Sequence, residues 1–211
     1  MKILKNIILG VVALVVLMAV IGLVAIPRES KVERSVVIAA PADVIFDQVN
    51  DLKKNEAWSP WKDPTMKLTY GPVTEGKGAQ SMWTSKDMGN GTMTIEESLP
   101  SSSINIGLDF GAMGKAKAFW TFVPEGEGVK VTEVMASDAG MNPAKRWMSL
   151  MSDKMVGPYF EKGLAALKQV SESRAAEIKA EQAATQQAAA APVEEAAPAA
   201  APSTAAPAKA K

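Results

Sequence analysis

Residues 140–168, GMNPAKRWMSLMSDKMVGPYFEKGLAALK, form the only long soluble stretch of this chain with a helical apolar period. That single fact narrows the fold: the rest of the soluble chain must offer one surface for one helix. Asn142 followed by Pro143 marks the start. The Asn side chain accepts an orphan N–H of the first turn, and Pro at the first helical position gives up a donor that had no partner. Trp147, Leu150, Met151, Met155, Phe160, Leu164 and Leu167 recur mostly three and four apart and predict one wide apolar face. Lys145, Arg146, Asp153, Glu161 and Lys168 are left for water. Pro158, behind Gly157, predicts a kink or break over residues 155–157.

What precedes this segment reads as sheet. Residues 32–40 mix β-branched and polar residues and end at Pro41, a first strand. Pro41-Ala42-Asp43 opens a helix whose apolar side is Val44, Ile45, Phe46 and Val49, and a second short helix within residues 52–61 stops at Pro60. From Lys67 the period becomes two. Residues 67–70, 79–85, 92–96, 104–110, 118–122 and 129–135 predict six strands, with Gly71-Pro72, Gly89-Asn90-Gly91 and Pro124-Glu125-Gly126 as the turns. Six strands in a row are the layout of an antiparallel meander whose apolar face the long helix must cover.

The two ends differ from this core. Residues 7–26 are twenty residues without a charge. At ~1.5 Å per residue they cross the ~30 Å hydrocarbon layer. The run closes on Val24-Ala25-Ile26-Pro27, with no small-x-small cleavage site, so residues 7–27 are expected to remain as a single transmembrane signal anchor behind a basic flank of residues 1–6. Lys2 and Lys5 before the span favour an N-terminus inside, although Arg28, Lys31 and Arg34 follow it. The expected location is a bacterial inner membrane with the C-terminal domain on the periplasmic side. Residues 171–187 are good helix formers, and residues 191–211, Ala and Pro with few bulky groups, predict an extended tail within a segment 171–211 that is a passive end or a spacer.

Charge and residue usage remove several function classes. Lys plus Arg and Asp plus Glu are 23 each, which gives no pull toward nucleic acid. The absence of Cys and His removes disulfides, thiolate nucleophiles, His-based triads and nearly every zinc or haem site, so no metal or other cofactor is expected.

Several motifs occur together in one order: Val32-Glu33-Arg34-Ser35-Val36-Val37-Ile38, then Ala40-Pro41-Ala42-Asp43-Val44-Ile45-Phe46, Trp58-Ser59-Pro60-Trp61, Gly140-Met141-Asn142-Pro143 and Met155-Val156-Gly157-Pro158. On these residues the region 31–170 resembles the polyketide cyclase/dehydrase branch of the START-like (SRPBCC) superfamily. The resemblance implies an α+β helix-grip fold: about seven antiparallel strands, curved and wrapped on a long C-terminal helix, with two short helices after strand one and a hydrophobic cavity between sheet and helix. It names no substrate, because ligands vary across the fold.

Within such a cavity Trp58, Trp61, Trp83 and Trp120 on the sheet side, and Trp147, Met151 and Met155 on the helix side, are the candidate ligand-binding residues. Each by itself reads first as ordinary core, and the pocket reading rests on the fold rather than on any one residue. Glu133 is the candidate of most chemical interest. Period two from Val129 and Val131 to Met135 turns its carboxyl inward, where burial raises its pKa and makes it an acid, a base or an anchor for a polar ligand group. A bulge would instead send it to solvent and put Thr132 and Val134 inside. Three functions remain open: a membrane-tethered binding module for a hydrophobic or amphipathic small molecule or lipid, a cyclase/dehydrase-type enzyme using a cavity carboxylate, and an adaptor for another membrane protein.

Overall fold

The computed structural model of the chain describes residues 1–190, so the sequence reading of residues 191–211 lies outside the described residues. Two compact units are present: one runs from Met1 to Glu177, and the second, from Ile178 to Ala190, is helical throughout. Helix α1 (Lys2–Val24) is followed by strand β1 (Glu29–Ile38), helices α2 (Ala42–Asn50) and α3 (Asn55–Trp58), and strands β2 (Lys67–Tyr70), β3 (Gln80–Thr84), β4 (Asn90–Leu99), β5 (Ser103–Asp109), β6 (Lys115–Glu125) and β7 (Gly128–Asp138). Helices α4 (Pro143–Ser149) and α5 (Ser152–Ala190) close the order. The seven strands form one antiparallel sheet in the order β1-β7-β6-β5-β4-β3-β2, so the meander closes only by β1 returning beside β7. This is the α+β helix-grip arrangement expected from the sequence.

The alternation predicted from sequence decides which face is inside. Val129, Val131 and Glu133 of β7 and Ala116, Ala118, Trp120 and Phe122 of β6 are all buried, while Lys115, Lys117, Thr121 and Val123 point away. Ile38, Ile45, Phe46, Val49, Ile104, Trp120 and Phe122 join Leu164 and Leu167 of α5 in one core. Burying each such side chain contributes roughly 1.5–3 kcal/mol, which is what holds the helix to the sheet.

Three local expectations are corrected. The break in the C-terminal helix falls at Leu150-Met151, not over 155–157, and α5 runs through Pro158 without interruption. Pro158 sits in the second turn of α5, where it removes a single ladder bond whose acceptor, on exposed Lys154, stays in water. The turn between β3 and β4 spans Ser85 to Gly89, closed by the Ser85 N–H on the Gly89 carbonyl, and Gly91 belongs to β4. Gly91 is required there because a Cβ would lie 2.2 Å from the Trp83 ring and 2.8 Å from the Asp109 carbonyl. Arg146, expected in water, is buried; its guanidinium donates to the carbonyls of Gly140, Leu23 and Ile26 at 2.9, 2.6 and 3.0 Å. The carbonyls at the end of α1 lack helical partners, and a fork of five donors satisfies them.

The start of α4 is as expected. Asn142 is the N-cap, its Oδ1 accepting the Lys145 N–H at 3.1 Å, with Pro143 in the first helical position.

Candidate functional site

Cross-strand pairing turns the inner face into rows. One row runs Arg34, Glu133, Trp120, Ile104; the next Val32, Met135, Ala118, Ile106, Ile95; the next Ser30, Ser137, Ala116, Leu108, Met93, Ser81, Tyr70. Beyond them Trp83 sits opposite Gly91 and packs edge-on to Phe110, ring centroids 5.8 Å apart. The end of the face near Ile38 and Phe122 is filled with large side chains. The other end carries small ones, Ala116, Ala118, Ser30 and Ser137, and its larger residues Trp83, Met93, Leu108, Phe110 and Met135 are only half-buried. Small residues on the floor and half-buried apolar groups around them leave this end of the inner face less completely covered than the other.

Glu133 stands at the boundary between the filled and the open end. No register shift interrupts β6 or β7, so the period-two reading holds and its side chain points inward, 8% exposed. Burial pushes its carboxyl up to about 8, so at neutral pH it is an uncharged acid. Among the described residues it has no hydrogen-bond or ion-pair partner. Arg34, its cross-strand neighbour on the same face, is turned onto α5 and held by Asp153 and Glu161, each at 2.8 Å. Gly157 makes room for that guanidinium, since a Cβ there would come within 2.3 Å of it.

The candidate residues from the sequence divide into separate places. Trp58 and Trp120 are buried and meet edge to face at 5.7 Å, with the Trp58 indole N–H donating to the Gln48 carbonyl at 3.0 Å. Trp120 is the cross-strand partner of Glu133 and so walls the site. Trp83 lies at the open rim. Trp61 is exposed and stacks on Tyr159 of α5 at 4.4 Å, outside the sheet face. Trp147 is directed to α1, and Met151 and Met155 are more than half exposed; the structure does not bring these three to Glu133. For Trp147 the physical reason is the break at Leu150-Met151, which takes the apolar face of α4 off the sheet and onto α1. The floor residues Ala116, Ala118 and Ser137 were not singled out from the sequence. Their signal was there: Lys-Ala-Lys-Ala over 115–118 alternates polar with small rather than polar with bulky.

A depression of about 690 Å³ also lies on the outer face, lined by Thr94, Glu96, Asp109, Lys115 and Lys117 among others. Of the charges that line it, Lys115 pairs with Asp109, Lys117 with Glu96, and Asp138 with Arg28.

The family model described as polyketide cyclase / dehydrase and lipid transport matches residues 29–172. No protein of curated function matches the sequence. Among solved structures, a protein of unknown function from Staphylococcus aureus is similar at 10% identity with a TM-score of 0.55, covering 69% of this chain and 95% of its own. A Staphylococcus epidermidis protein solved by NMR in solution is similar at 14% identity and a TM-score of 0.51, covering 70% of this chain and 93% of its own. At these identities the likeness is one of fold.

Proposed function

The chain belongs to the polyketide cyclase / dehydrase and lipid transport family, and from that premise we propose that it is a membrane-anchored binding module for a hydrophobic or amphipathic small molecule, lipids included, held on the inner face beside Glu133. The observation that carries the reading is the Glu133 carboxyl: on a residue only 8% exposed, uncharged at neutral pH and without a hydrogen-bond or ion-pair partner among the described residues. An apolar ligand bearing one hydroxyl or carbonyl supplies the missing partner, taking or giving one hydrogen bond at Glu133 while its apolar body lies along Trp120, Met135 and Leu108.

In this reading residues 7–27 are the membrane anchor, residues 31–170 the binding domain and residues 171–211 an appended tail. The anchor crosses a bacterial inner membrane with the domain on the periplasmic side. α1 supports it as a helix of 23 residues that holds an 18-residue window of mean hydropathy 3.3, long and apolar enough to cross. The test is native mass spectrometry of the full chain after gentle detergent extraction. A bound apolar molecule retained by the wild type and lost from Glu133→Leu is the expected result; protein that is consistently empty and refractory to added lipid overturns the reading.

The raised pKa favours one second reading, an enzyme of the family's cyclase/dehydrase type in which Glu133 donates a proton as general acid. It requires Glu133→Gln to abolish turnover while ligand binding persists, whereas the binding reading requires no turnover at all.

A further inference from the structure

Helix α4 is tied to the end of α1 by side chains that ignore the sheet. The Trp147 indole N–H donates to the Met18 carbonyl at 3.0 Å, and Arg146 donates to the Leu23 and Ile26 carbonyls. Gly22, the one buried residue of α1, forms the seat: a Cβ there would lie 2.9 Å from the Trp147 indole nitrogen and 3.3 Å from Pro143. Met18 lies six residues before Val24, so α4 runs alongside the last ~9 Å of the apolar helix at ~1.5 Å per residue. Residues 7–26 are only just long enough for the ~30 Å hydrocarbon layer. A helix packed beside their final two turns therefore cannot stand clear of the bilayer.

The rest of α4 suits that position. Beside the Pro143–Trp147 face that grips α1, Ala144 and Met148 of α4 and Met151 of the junction with α5 are uncovered, Met148 being 66% and Met151 52% exposed. Met155, one turn further on, is 58% exposed. Exposed apolar groups in one patch on a surface continuous with a membrane-crossing helix mark a lipid contact. The indole at the margin of the span is also where an amphipathic ring with one polar atom is best accommodated.

We propose that α4 and the α4–α5 junction are embedded in the leaflet at the C-terminal end of α1, with Met148, Met151 and Met155 in contact with lipid. The proposal rests on α1 crossing the membrane. It has a consequence for the site: Lys145 of α4 lies 3.2 Å from where a Gly114 Cβ would stand, so the turn after β5, with Phe110 and the exposed Met113, is held next to the lipid surface. The open end of the inner face then opens beside the leaflet.

The chain contains no Cys, so single spin labels can be placed cleanly at Met148→Cys and Met151→Cys, with Val15→Cys inside α1 and Val123→Cys on the outer sheet face as references. The full chain is reconstituted in phosphatidylethanolamine/phosphatidylglycerol vesicles, and collisional relaxation is measured with oxygen and with a water-soluble nickel chelate. The expected result is a several-fold higher oxygen-to-nickel ratio at 148 and 151 than at 123, approaching that at 15. Adding Gly22→Leu, which removes the seat of Trp147, should return position 148 toward the value at 123 while position 15 is unchanged. Ratios at 148 and 151 equal to that at 123, with position 15 still shielded, overturn the proposal and leave the anchor standing. Low collision rates with both reagents mean a protein covers the patch and also overturn it. A water-accessible position 15 removes the anchor and this proposal together.

Discussion

Replacing Glu133 by Gln should stabilise the folded protein at neutral pH and leave it nearly unchanged in acid. The folded carboxyl titrates at about 8 and the ordinary value is 4.5. Below the ordinary value both folded and unfolded chains carry the proton, and the group makes no pH-dependent contribution. As pH rises above it the unfolded chain ionises and the folded chain does not, so stability falls by about 1.4 kcal/mol per pH unit until the folded pKa is reached. Near pH 7 the loss is about 3 kcal/mol, and above pH 8 it levels at about 5 kcal/mol. Gln keeps the shape and a donor-acceptor pair but cannot ionise, so it removes this loss. Urea unfolding of the detergent-solubilised full chain, followed by tryptophan fluorescence at about pH 4 and about pH 7, measures it. Other carboxylates titrate over the same range, but they are common to both proteins and cancel in the difference. A variant-minus-wild-type difference that is the same at both pH values refutes the reasoning: Glu133 would then be ionised in the folded protein, and the uncharged acid at the centre of the site would not exist.

Two glycine substitutions separate rigid from yielding contacts. Gly91→Ala sets a methyl against the Trp83 ring and the Asp109 carbonyl, so it should cost about 1–3 kcal/mol and lower the melting temperature by several degrees in calorimetry. Gly157→Ala meets only the end of the Arg34 side chain, which can swing away, so its melting temperature should stay close to wild type while the Arg34 contacts to Asp153 and Glu161 become more salt-sensitive. Trp120→Ala empties a buried site against Trp58 and Glu133 and should destabilise by about 3–5 kcal/mol, read as a fall in the urea midpoint. If a bound ligand contributes to that wall, the wild type but not Trp120→Ala gains thermal stability when the extracted lipid is added back.

Much of the fold was legible because it depends on near neighbours in the chain. Period two over residues 104–110 and 129–135, broken by Gly- and Pro-containing turns, needs only the pleat to become strand, and Asn142-Pro143 needs only its own first turn to become a helix start. The inward turn of Glu133 was also readable as an option, since its facing follows from Val131 and Met135; what the sequence left open was whether a bulge intervened, and an unbroken ladder between β6 and β7 closed that question.

What the chain's order determined, then, is the set of elements and the apolar side of each: α1 as a segment fit for a membrane, seven strands, two short helices and a helical C-terminal region. Only tertiary structure decided which surface each apolar side would meet. The face of residues 143–155 was read as a wall of the cavity, yet it divides at Leu150-Met151, and its first part goes to α1 because Arg146 and Trp147 find there backbone carbonyls more than a hundred residues away in sequence. Periodicity records that a face is apolar. It holds no information about which of two distant partners, a sheet or a second helix, will bury it; that choice is made by the sum of contacts across the folded chain.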